Sequence, residues 1–119
     1  MKAQVFLTQG AEDDLLGIYR RRLAQRGASG SDGADGLLDA LIAATTRLTD
    51  HPLSGPVPLE LEMLGIKAYR QLSLPPFRLI YWPELELARP RVTVMLIADA
   101  RRDFRVLLEE RLLRFPPNS

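Results

Sequence analysis

Residues 66–98, IKAYRQLSLPPFRLIYWPELELARPRVTVMLIA, decide the fold. Before Gly65 the apolar residues recur at helical spacing, whereas after it they fall in short extended runs. Three strands are predicted, over 66–74, 77–82 and 91–98. Pro75-Pro76 separates the first two, and a loop from Pro83 to Pro90 separates the last two. Consecutive strands with short links form an antiparallel meander. In the middle strand Phe77, Leu79 and Tyr81 share one face, and Arg78, Ile80 and Trp82 share the other. In the strand before it, Arg70 lies with Ala68 and Leu72, and Tyr69 with Lys67 and Gln71.

Two helices precede this meander. A short apolar strand, 3–8, ends at Gln9-Gly10, and a helix is predicted from about Ala11 to Gln25 with Leu15, Ile18, Tyr19 and Leu23 on one stripe. Glu12, Asp13 and Asp14 open it and Arg20, Arg21, Arg22 and Arg26 close it, in the sense the helix dipole favours. Four glycines between Gly27 and Gly36 make a flexible connector, and no strand precedes them that would turn them into a phosphate loop. A second helix follows from about Ala34 to Thr49, with Leu37, Leu38, Leu41, Ile42, Thr45 and Leu48 inward. Pro52 stops it. A proline-rich surface loop, 52–65, has room for one helical turn at Leu59–Leu64. The last helix is expected from about Arg101 to Phe115, burying Phe104, Leu107, Leu108, Leu112 and Phe115 and pairing Arg105 with Glu109 and Glu110 with Arg114. Pro116-Pro117 ends it, and residues 116–119 should fray. The order β-α-α-β-β-β-α gives an α+β fold: two layers, a mostly antiparallel sheet covered by an N-terminal helical hairpin, plus a C-terminal helix. One domain, 1–119, is expected at this length.

Composition narrows the chemistry. The absence of Cys excludes disulfides, thiolate metal sites and a cysteine nucleophile, and the single His51 excludes a multi-histidine metal site. His51, beside Pro52, reads as a helix-end residue. No cofactor or metal is expected. Lys plus Arg is 16 against 15 Asp plus Glu, so the net charge of +1 gives no general push toward nucleic acid. All but two of the cationic residues, Lys2 and Lys67, are Arg, whose planar fork suits carboxylate and phosphate. The N-terminus has no signal-peptide pattern and no apolar run is long enough to span a membrane, so a cytoplasmic protein is expected.

Function should concentrate at two places. Arg78, Ile80 and Trp82 either form an open groove for a partner or lie under the C-terminal helix. Asp99, Arg101, Arg102 and Asp103 sit where the last strand turns into the last helix. Asp99 is placed to cap that helix and Asp103 lies in its first turn. Arg101 and Arg102 would oppose the dipole there. They either pair locally with the aspartates or form a cationic rim beside Arg70 and Arg78 for phosphates or a partner's carboxylates. Arg20-Arg21-Arg22 reads as a solvated helix end.

Several segments, taken in order, resemble the RelE/ParE superfamily of toxins from toxin–antitoxin pairs. They are Ala11–Leu23, Leu48–Gly55, Ala68–Leu72 with Arg70, Phe77–Tyr81 with Arg78, and Ala100–Asp103 followed by Leu107-Leu108. The resemblance spans about 4 to 114 and implies the same fold, with a cognate antitoxin as partner. It also implies one of two activities. RelE-like members cleave mRNA on the ribosome with basic residues and often a late Tyr or His, whereas ParE-like members lack that set and are described as poisoning DNA gyrase. Here no His or Tyr follows Tyr81. A nuclease would have to use Arg70, Arg78, Tyr81 and Arg102, with Glu60 or Glu62 as a carboxylate base. The ParE-like branch is therefore favoured, as a gyrase poison without catalysis of its own. Its target- or partner-binding residues are expected to be Arg70, Arg78, Ile80, Trp82, Arg101, Arg102 and Asp103. The alternatives are the ribosome-dependent endoribonuclease and a non-toxic binding module on the same fold.

Overall fold

The computed structural model describes residues 2–113. Strand β1 (Gln4–Leu7) leads into helix α1 (Gln9–Arg26), whose first turn is capped by the Thr8 hydroxyl accepting from the Ala11 amide at 3.0 Å. The glycine connector folds back on itself through Ala34 N–H to Gly27 carbonyl and Asp35 N–H to Ala28 carbonyl bonds, at 2.9 and 3.0 Å. Gly27 and Gly30 take the positive φ that such a reversal needs, 75° and 95°. Helix α2 (Ala34–Arg47) follows, then the one-turn helix α3 (Leu59–Glu62) inside the proline-rich segment. Strands β2 (Arg70–Leu74), β3 (Phe77–Glu84) and β4 (Arg91–Asp99) form the meander. Helix α4 (Phe104–Leu108) widens into a π-helical stretch over Glu109–Leu113.

The sheet order is β1-β4-β3-β2, with β1 parallel to β4 and the other pairs antiparallel. The chain's first strand is thus laid beside its last. Alternation along β3 divides the interior in two. Phe77, Leu79 and Tyr81 join Val92, Val94 and Ile97 against Ile18 of α1, Leu41 of α2 and Leu48 at the α2 C-cap. Ile80 joins Leu96 and Ala98 against Leu61 of α3 and Phe104, Leu107, Leu108 and Leu112. The register slips between Ile80 and Tyr81, which pair with Leu96 and Val94, so Met95 is an extra residue in β4. Met95 and Leu96 consequently both pack toward the α4 face.

Four expectations need correction, and the choice left open at Ile80 is decided. The sheet is closed on both faces, because α3 and α4 cover the side of Ile80; the open groove does not exist there. Strand β4 runs on through Asp99, so α4 starts later than expected and Asp103 caps it, accepting from the Val106 amide at 3.3 Å. On α2, Ile42 is 46% exposed and Ala44 takes the inward place. Tyr19 is only half-buried; its hydroxyl donates to Asp35 at 2.7 Å. The ion pairs among the described residues do not include Arg105–Glu109. Arg114, Phe115 and the expected fraying of 116–119 lie outside the described residues.

Candidate functional site

Arg78 projects from β3 onto the α4 side, where its guanidinium lies over the Phe104 ring, 3.9 Å from the centroid. It donates to both carboxylate oxygens of Glu60, at 2.8 and 2.9 Å, and through Nε to the Gln71 side-chain oxygen at 3.2 Å. Only 15% of the Arg78 side chain and 31% of Glu60 remain exposed. The guanidinium holds the Glu60 carboxyl below its ordinary value. Glu60 is therefore ionised near neutrality, but its oxygens already accept bonds, which is a poor arrangement for a base that must take a hydroxyl proton. Arg78 in turn has most of its donors engaged and its charge balanced inside the protein.

Arg70 and Tyr81 are direct cross-strand partners and face the other way. The Tyr81 side chain is fully buried, and its hydroxyl accepts from the Gly55 amide at 3.1 Å. Arg70 Nη1 donates to the Gly55 carbonyl at 3.1 Å, and the Gln71 amide donates to the Pro56 carbonyl at 2.8 Å. Together these bonds pin the proline-rich loop to the edge of β2. Gly55 is required by that approach, since an added Cβ would run into the Gln71 carbonyl and come within 3.2 Å of the Tyr81 hydroxyl. The four residues a nuclease would need are thus not brought together: Arg70 and Tyr81 lie on one side of the sheet and Arg78 on the other. Arg102 stands in the exposed turn before α4.

The remaining expected residues also separate. Ile80 has no exposed surface. Trp82 is half-buried at the far end of β3, where it lines an open cleft with Leu53, Lys67, Arg70 and Leu87. Asp99 accepts from the Arg101 amide at 2.8 Å and from its Nε and Nη2 at 3.0 and 2.8 Å, and this fork holds the carboxyl down at about 2. Local pairing therefore describes Arg101. Both arginines precede the helix, so the expected conflict with its dipole does not arise.

Two features escaped the sequence. Asp14, read only as a helix-opening anion, accepts from the Ile97 amide at 3.1 Å and from Arg111 Nη1 and Nη2 at 3.2 and 2.9 Å. Arg111 also donates to the Met95 carbonyl at 3.3 Å, so side chains complete the edge of β4 around the bulge where β1 has ended. The Tyr69 hydroxyl is buried without a partner among the described residues, and burial pushes its pKa up to about 12. No group of three or more His, Asp or Glu among the described residues is placed to hold a metal ion, and no helix is long and apolar enough to cross a membrane.

Over residues 5–104 the sequence matches the family described as the ParE toxin of type II toxin–antitoxin systems. The chain belongs to the ParE toxin family. Its fold is similar to that of a chain in the RelBE2 toxin–antitoxin complex of Mycobacterium tuberculosis, with a TM-score of 0.57 and 19% identity over 83% of this chain and 99% of that one. It is also similar to a chain of the chromosomal ParDE system of P. aeruginosa, with a TM-score of 0.62 and 17% identity over 82% of this chain and 96% of that one. Among curated protein sequences none matches closely. The ParE-family match stops at Phe104, so Arg111 and its bonds to Asp14 and Met95 reach beyond it.

Proposed function

We propose that this ParE-family toxin poisons DNA gyrase without catalysis of its own, and that a cognate antitoxin neutralises it. The observation that carries this reading is the division of the basic and phenolic groups between two faces of the sheet. Cleavage of RNA requires a base for the 2′-hydroxyl and cations facing the phosphorane, within reach of one phosphate. Here Tyr81 is buried with its hydroxyl engaged, and Arg78 is neutralised by Glu60. A ribosome-dependent nuclease would need both released at once.

An antitoxin finds two apolar features suited to it. Strand β1 is a sheet edge with Phe6 48% exposed, beside an open groove lined by Thr45, Thr46 and Thr49. On the helical hairpin Leu16, Leu23 and Ile42 are 41–47% exposed. An extended segment added to the edge and an apolar helix laid on the hairpin would cover both.

The test pairs a supercoiling assay with a primer-extension map of mRNA after induction. Growth arrest, inhibited supercoiling or trapped cleaved DNA, and intact mRNA are expected. Discrete codon-level cuts with normal supercoiling would overturn the reading.

A further inference from the structure

Where β4 runs out, two clefts lie side by side and share Arg21 and Asp99. Arg102 lines one of them and Arg22 and Arg101 line the other. Four arginines from α1 and from the β4–α4 turn, some eighty positions apart in sequence, thus surround one end of the molecule. Neither segment meets Arg70 or Arg78 there; the cationic partner of Arg101 and Arg102 is α1.

Asp13, Asp14 and Asp99 line the same clefts and cancel part of this charge, leaving the arginines in excess. Asp99 bonds to Arg101, whose side chain remains 88% exposed, and Asp14 bonds to Arg111. Among the described residues Arg21, Arg22 and Arg102 have no carboxylate oxygen within 4.0 Å. Exposed Asp13 accepts a bond from Gln9 at 3.0 Å. With a net charge of only +1 over the chain, this is a local patch rather than a general field.

We propose that this arginine-lined end grips the phosphodiester backbone of duplex DNA. The proposal deepens the gyrase reading, on which its biological meaning rests: the toxin would hold the duplex that the enzyme is handling. Guanidinium forks match phosphate oxygens in bidentate geometry. Of the apolar residues lining the clefts, Ile18, Phe77, Ile97 and Ala98 are 9% exposed or less, Leu37 is half-buried and Pro76 is exposed. The clefts therefore offer no aromatic platform for unstacked bases, and their accessible apolar surface is confined to Leu37 and Pro76, with no exposed aromatic anchor of the kind that dominates a protein interface. A backbone of regularly spaced phosphates is what remains.

The experiment measures fluorescence anisotropy of a labelled mixed-sequence 20-bp duplex with the purified chain between 50 and 200 mM salt. Each phosphate neutralised contributes about −0.9 to the slope of log affinity against log salt. Binding with a slope of about −2 to −4 is expected. Arg21→Ala with Arg102→Ala should weaken it at least about tenfold and flatten the slope by about 2, at an unchanged thermal midpoint. The control pair Arg47→Ala and Arg89→Ala, both exposed and remote from the clefts, should leave it unchanged. Absence of binding at 50 mM salt, equal loss in the control, or tighter binding of a glutamate-rich peptide of equal charge would each overturn the proposal. Duplex binding without gyrase inhibition would sink the gyrase reading alone. Inhibition that survives the Arg21/Arg102 double substitution would sink the role of DNA binding in poisoning alone.

Discussion

On the α1–α2 side of the sheet, Leu79, Val92, Val94 and Ile97 meet Ile18, Leu41 and Leu48, all at 3% exposure or less. The polar side chains on this side, Tyr81 and Arg70, are both bonded to Gly55. On the α4 side, Ile80, Leu96 and Leu108 are as well buried, but they share the space with the Arg78–Glu60 pair and with the Tyr69 hydroxyl, which has no partner among the described residues. The first side is an ordinary apolar core held by two long helices. The second is roofed by short helices tied down by polar bonds, where desolvation works against the pairing energy. Apolar packing holds one side together; charge geometry fixes what lies on the other.

The comparison is broken most strongly by removing apolar volume. Leu41→Ala should lower stability by roughly 2–5 kcal/mol in urea or thermal unfolding. Leu108→Ala, at the end of a helix of five residues that can settle into the space, should lie at the low end of the same range. Equal losses would erase the distinction between the sides.

Breaking the ion pair comes next. Arg78→Met leaves Glu60 without its partner and should lose about 1.5–3 kcal/mol, the usual worth of hydrogen bonds to a charged group. Adding Glu60→Leu should recover much of the loss. The pH dependence has a definite sign. The folded-state pKa of Glu60 is depressed below 4.5, so the pair's stabilisation is complete above that value and is lost as pH falls through the lower folded value. Glu60→Gln should flatten this part of the acid limb in a pH series of melting curves; an unaltered limb would assign it to other carboxylates.

The two tyrosines give the smallest and most discriminating effect. Tyr81→Phe removes the acceptor for the buried Gly55 amide and should lose about 1–3 kcal/mol. Tyr69→Phe removes a hydroxyl with no partner among the described residues and should be neutral or slightly stabilising. Opposite signs would sharpen the contrast between the sides, whereas equal losses from both would refute it.

Much of this was legible from period and punctuation. The two-residue alternation of Phe77–Trp82 set the faces of β3, and the helical stripe through Leu41 and Leu48 set the buried side of α2. What failed was whatever depends on a partner far along the chain. Nothing near Arg78 announces Glu60, which reaches it from α3, and nothing near Asp14 announces Arg111. The α4 boundary was misplaced because Asp99 and Asp103 are chemically equal caps, and only the length of β4 chooses between them. The bulge at Met95 had no signal in the sequence, since it inserts a residue without changing the composition that marks a strand. The site suffered more than the fold. Residue types nominate candidates, but which arginines become neighbours follows from how α1 packs on β4.

The bonds joining Asp14, Met95 and Arg111 also bear on the order of events during synthesis. Asp14 and Arg111 are 97 positions apart, and β1 must wait for β4 before it has a strand to pair with. Contacts of such long separation close late and slowly. A growing chain therefore carries its helical hairpin and meander into the open before the edge of β4 can be finished. Until Arg111 has left the ribosome, the Met95 carbonyl lacks its donor from that side chain. The completed fold, with whatever activity it carries, waits for Arg111.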